Sequence, residues 1–66
     1  MTVRKRKRDE FLCGYALALA TGWRAHHDRC MVQHTMKGDG ITIEMLEAAS
    51  VEEYDLAAIR AAWAPR

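Results

Sequence analysis

The chain is short of most residues that would commit it to a known chemistry. It has one proline, two cysteines, one phenylalanine and one serine. Two cysteines, Cys13 and Cys30, do not make the disulfide framework of a small secreted domain, which carries four or more. They suit free thiols in a reducing cytoplasm. Valine is scarce and no stretch alternates apolar and polar residues, so a sheet has little support; Ile41-Thr42-Ile43 is the one β-like triplet. No run approaches the roughly 20 apolar residues that cross a bilayer. A single positive field is also missing. Residues 1–8 carry +5, and the remaining residues carry −4, within a net charge of +1. A uniformly basic nucleic-acid binder has a different distribution.

What is present is alanine, leucine and one dense apolar stretch. Phe11-Leu12-Cys13-Gly14-Tyr15-Ala16-Leu17-Ala18-Leu19-Ala20 is apolar on every side of a helix. Such a helix is buried in a core or against a partner. A 66-residue chain has little core to offer, since domains near this size bury only about 60% of their unfolded surface. The mismatch points to a protein that works by binding another protein.

A secretory leader is considered because basic residues precede the apolar stretch and Ala18-Leu19-Ala20 resembles a cleavage site. Asp9 and Glu10 interrupt that pattern, and cleavage would leave too little chain for a core. The expected location is the cytoplasm.

The expected architecture is all-α: a compact bundle of three to four short helices (residues 9–66) behind a disordered basic arm (residues 1–8). Asp9 is placed as the N-cap of a first helix that reaches Ala25 or His26. Phe11, Tyr15, Leu19 and Trp23 form one row at four-residue spacing. Gly14, Ala18 and Gly22 form a second, smooth row that a neighbouring helix can approach closely. Asp28 caps a second helix, Arg29 to Met36, with Gly38 in the left-handed position after it. Thr42 caps a third, Ile43 to Ala49. Ser50 to Glu53 has capping-box spacing, but a turn through 51–54 and a fourth helix from Asp55 to Trp63 place Leu56, Ile59 and Trp63 on one face. The predicted core is Phe11, Leu12, Tyr15, Ala16, Leu19, Trp23, Leu46, Leu56 and Ile59.

Catalytic constellations are weak. His27, Cys30 and His34 have zinc-compatible spacing beside His26, but Asp28 breaks the helix inside the group and no second ligand pair accompanies it. No metal and no cofactor is expected. Ser50 is better used as a helix cap, and Cys13 lies in the apolar run where burial makes a thiol inert. Gly38-Asp39-Gly40 lacks the lysine and the strand–loop–helix setting of a phosphate loop. No catalytic residue is assigned, and a chain of this length is not expected to enclose a substrate pocket.

Binding hypotheses remain. The partner-binding candidates are the acidic residues Glu44, Glu47, Glu52 and Glu53, which would imitate nucleic acid toward a basic protein, and the exposed apolar residues Met31, Met36 and Trp63. The alternative is a small helix-turn-helix-like DNA-binding regulator using the arm residues Arg4, Lys5, Arg6, Lys7 and Arg8. Against it, the third helix carries Glu44 and Glu47 and no Lys, Arg, Asn or Gln for base edges. A homodimer is also expected, through helix one or the Trp63 face, because a small domain gains core by pairing.

The Phe11–Ala20 stretch, with Gly40-Ile41-Thr42 and Val51-Glu52-Glu53-Tyr54-Asp55-Leu56 followed by Ile59, resembles a group of very small uncharacterised proteins of tailed phages and prophages. The resemblance covers residues 11 to about 60 and brings no catalytic residue with it. It implies an accessory protein made in a bacterial cytoplasm that binds and inhibits a host protein, including anti-defence, anti-CRISPR-like action.

Overall fold

The computed structural model describes residues 7–65, and these form four helices and no strand. Helix α1 spans Lys7–His26, α2 Arg29–Asp39, α3 Ile43–Ala48 and α4 Glu53–Trp63. The all-α bundle expected from composition is what the chain adopts.

Helix α1 includes Lys7 and Arg8, ahead of the expected cap Asp9. Lysine and arginine are good helix formers, so nothing stops the helix there. Asp9 and Glu10 remain in the first turn, where the positive end of the helix dipole favours them. Lys7 and Arg8 are therefore helical and exposed; Arg4, Lys5 and Arg6 lie outside the described residues.

The helix ends explain the tight turns. His27 (φ 51°), Gly40 (φ 69°) and Ser50 (φ 59°) all take the left-handed conformation. After α2, the Gly40 amide donates to the Lys37 carbonyl and the Ile41 amide to the Met36 carbonyl. After α3, the Ser50 amide donates to the Glu47 carbonyl and the Val51 amide to the Leu46 carbonyl. Both are Schellman closures, and in each the residue after the turn is buried beside the helix it closes: Ile41 with Met36, and Val51 with Leu46. Asp28 and Thr42 cap α2 and α3 as expected, accepting from the Met31 and Met45 amides at 2.9 and 3.2 Å.

Three sequence expectations change here. Helix α2 runs one turn past Met36, so the left-handed residue is Gly40 and not Gly38. Ser50 closes α3 instead of capping α4. Helix α4 starts at Glu53, two residues earlier than Asp55, with Glu52 at its N-cap.

The core comprises Leu12, Ala16, Leu19 and Ala20 of α1; Val32 and Met36 of α2; Leu46 of α3; and Leu56, Ala58, Ile59 and Ala62 of α4, with Ile41, Ala49 and Val51 from the turns. Phe11, expected inside, is 61% exposed. Its row advances by four residues per step, which rotates it by about 40° each time on a 3.6-residue helix. Over three steps the row drifts from solvent at Phe11 to half-buried positions at Tyr15 and Trp23. Met36, expected outside, is fully buried because the Schellman turn folds Ile41 over it. The Gly14–Ala18–Gly22 row drifts likewise. Gly14 and Ala18 face solvent, and Gly22 alone has a close neighbour, the Met31 methyl group.

The two glycines of the α2 end give opposite expectations. Gly38 is helical, and a methyl group there meets nothing. Gly38→Ala should stabilise by about 0.5–1 kcal/mol. Gly40→Ala should cost about 1–2 kcal/mol because its left-handed backbone penalises a Cβ. Thermal melts of both variants check this, and melts shifted in the same direction would place the helix end elsewhere. Leu46→Ala, at a fully buried site, should cost about 2–5 kcal/mol. That equals most of the roughly 3–5 kcal/mol a core this small supplies, so circular dichroism should show a largely unfolded chain.

Candidate partner-binding site

The Schellman turn that closes α2 also shapes an open groove. Met36 and Lys37 on α2, Gly40 to Thr42 in the turn, Ile43 and Glu44 at the start of α3, and Trp63 at the end of α4 surround about 460 Å³. Its lining is chiefly apolar, from Met36, Ile41, Ile43 and Trp63. Trp63 is held in place by its indole N–H, which donates to Met36 Sδ at 3.2 Å. Lys37 Nζ lies 5.5 Å from the indole centroid, within range of a cation–π attraction. Lys37 and Glu44 are the two charged side chains that line it.

Bulky side chains at a three-helix junction leave a trough where α2, α3 and α4 diverge.

The groove gathers three of the candidates read from the sequence, Met36, Glu44 and Trp63, though Met36 serves as its buried floor rather than as an exposed contact. Met31 lies elsewhere, half-buried against Gly22. The four glutamates do not make one uniform negative face. Arg60 sits between Glu47 and Glu53, with N–O distances of 2.6 and 2.7 Å. The hydrogen bond to Glu47, with further attraction from Glu53, raises the already high guanidinium pKa. These exposed pairs neutralise charge more than they stabilise the fold. Glu52 borders a second, shallower groove of about 240 Å³ with Cys13, Gly14, Leu17 and Asp55. There Asp55, the one buried acid, pairs with Arg24 at 3.3 Å, and the Arg24 guanidinium lies 4.3 Å above the Tyr54 ring.

The helix break at Asp28 parts His26 and His27 from Cys30 and His34, and all four are exposed. No three His, Cys, Asp or Glu side chains among the described residues are placed to hold a metal ion. The Cys13 thiol donates to the Ala49 carbonyl at 3.7 Å, tying α1 to the end of α3. Of the residues that line the main groove, Lys37, Ile41, Thr42 and Ile43 do not stand out in the sequence as contacts. A signal for them is present all the same: a Gly-rich turn followed by an apolar triplet has to lay its isoleucines on something.

Tyr15 braces the groove from behind. Its hydroxyl donates to Asp39 Oδ2 at 2.8 Å, linking α1 to the last turn of α2. Burial, then the hydrogen bond and negative charge of Asp39, push the phenol from 10 up to about 12. The folded value lies above the unfolded one, so this contribution to stability is complete below pH 10 and declines as pH rises toward 12. In a Tyr54→Phe background, phenolate absorbance should rise near pH 12. Asp39→Asn should move that rise part of the way back, because burial is the larger cause. A rise at the ordinary phenol value with the fold intact would remove the brace.

Compared with known proteins, this chain matches no family model, no curated protein and no solved structure.

Proposed function

We propose that this protein acts by binding another protein, and that the groove bounded by Met36, Ile41, Ile43 and Trp63 is where the partner docks. The observation that carries this is the lining itself. An open apolar trough of about 460 Å³ with one basic and one acidic residue at its edge has the make-up of a site for a short apolar segment. Few polar groups converge there, which favours recognition over chemistry. The fitting occupant is a partner segment with an apolar anchor, an acidic residue toward Lys37 and a basic residue toward Glu44.

The phage-like pattern of the Phe11–Ala20 stretch supports a setting: an accessory protein in a bacterial cytoplasm that occupies and inhibits a host protein, anti-defence inhibition among the roles. Among the described residues, no helix is long and apolar enough to cross a membrane. Imitation of nucleic acid by Glu44, Glu47, Glu52 and Glu53 is the weaker mode, because Arg60 interrupts the set.

Affinity capture from a bacterial lysate, with groove variants in parallel, tests the reading. The wild-type chain should enrich a protein. Ile43→Asp should reduce its recovery by about tenfold or more, the scale of losing one apolar anchor, and the exposed Glu44→Lys should reduce it less. Circular dichroism verifies that both variants fold. Recovery indifferent to both substitutions would rule out the groove. Enrichment of nucleic acid without protein, lost when Lys7 and Arg8 are replaced by alanine, would favour the DNA-binding reading through the basic segment.

A further inference from the structure

The outer face of α1 is free of charge over more than three turns. From Phe11 to Trp23 the sequence holds no ionisable acid or base of the Asp, Glu, Lys or Arg type. Yet Phe11, Gly14, Leu17, Ala18, Thr21 and Ala25 are all exposed. Phe11 and Leu17 are 61% and 53% exposed, a large apolar commitment for a helix whose opposite face already supplies the core. Helix α1 is thus not buried all round as its composition implies, and its outer face lacks a cover within the described residues.

We propose that a second copy of this chain covers it, with the two α1 helices packed antiparallel. The spacing fits a helix–helix seam. Phe11, Gly14, Ala18, Thr21 and Ala25 follow one another by alternating steps of three and four, the 3.5-residue repeat of a coiled-coil contact. No neighbouring atom crowds the Cβ position of Gly14, so two such faces can approach at the short end of the usual 8–10 Å interaxial range.

Two independent features select the antiparallel arrangement. The first is size. Crossing at the level of Ala18 sets Phe11 of each copy opposite Ala25 of the partner subunit, and Gly14 beside Thr21 of the partner subunit. The one large residue of the seam then meets a small one, and between the two ends small residues meet small residues. A parallel pair would instead oppose phenylalanine to phenylalanine and glycine to glycine, leaving a clash beside a void. The second is charge. The first turn of α1 carries Lys7 and Arg8 beside Asp9 and Glu10, and its far end carries Arg24 and His26, with exposed Asp28 just beyond. Crossing at Ala18 brings Arg8 level with Asp28 of the partner subunit, near the negative end of that helix's dipole, and Glu10 level with His26 of the partner subunit. The parallel pair would place Lys7 and Arg8 against their own copies.

The seam from Phe11 to Ala25 is roughly 20 Å long at 1.5 Å per residue. A seam this short belongs among the small interfaces that hold weak, reversible pairs. The pairing face is distinct from the groove at Trp63, so a dimer would present two grooves.

Sedimentation equilibrium of the full chain over a micromolar concentration series decides the matter. The expected mass rises with concentration from 7.5 kDa toward twice that value. Ala18→Arg should weaken association by about tenfold or more with an unchanged helical signal. Leu17→Glu should do the same and serves as the deciding variant if Ala18→Arg disturbs the fold. Added salt should weaken the dimer, since the end contacts are attractive. A concentration-independent mass of 7.5 kDa would overturn the proposal, as would a dimer indifferent to both substitutions. A dimer strengthened by salt would overturn the antiparallel arrangement.

Discussion

The alanine face of α4 is the constraint on which the rest of the structure depends. Ala58 and Ala62 are buried there beside Leu56 and Ile59, and α4 packs on each of the other three helices. Its most extensive pairing is with α1, whose own buried face includes Ala16 and Ala20. Small side chains on both faces let the helices close on one another without large rotamer losses, since alanine gives up no side-chain freedom on burial. The backbones of α2 and α3 do not pack on each other; each helix is held by α1 and α4.

Closing the α1–α4 contact through alanines has a consequence for the exterior. Much of the bulky apolar material is left for the outside or the margins: Phe11, Leu17 and Tyr54 are exposed, and Trp23, Ile43 and Trp63 are half-buried. A chain of this size has limited surface on which to spread them. Ile43 and Trp63 meet at the groove, Phe11 and Leu17 lie on the outer face of α1, and Tyr54 stacks on Arg24. The arrangement suits a molecule whose work is contact. The Arg24–Asp55 pair, with Tyr54 stacked on the guanidinium, closes the α1–α4 junction. There a buried carboxylate without its cation would be costly.

The fold class and the helix count are legible in the sequence because alanine-rich composition, capping residues and the glycine turn all agree. Asp28 and Thr42 mark two helix starts correctly because a short acceptor side chain at that position satisfies an otherwise unpaired amide. The ends are harder to read. Two glycines lie two residues apart at the end of α2, and local chemistry does not say which one turns left-handed; burial of Ile41 against Met36 makes the choice. Ser50 illustrates the same limit, since serine is a common start signal and here tertiary packing makes it a stop. Core positions are misjudged wherever a four-residue row is treated as a straight line, as at Phe11. Of the candidate site, Met36, Glu44 and Trp63 are visible in the sequence as partner-binding candidates. Their meeting at one groove depends on α3 and α4 converging, which no local pattern encodes.

Adjacent alanines on α4 test the central claim most directly. Ala62 is fully buried and Ala61 exposed, and the two share a helix, a composition and a propensity. Urea denaturation should show a lower midpoint for Ala62→Leu, by about 1–3 kcal/mol of overpacking, and a midpoint within about 0.5 kcal/mol of wild type for Ala61→Leu. Equal midpoints for the two variants, or a rise with Ala62→Leu, would contradict a core closed through the small residues of α4.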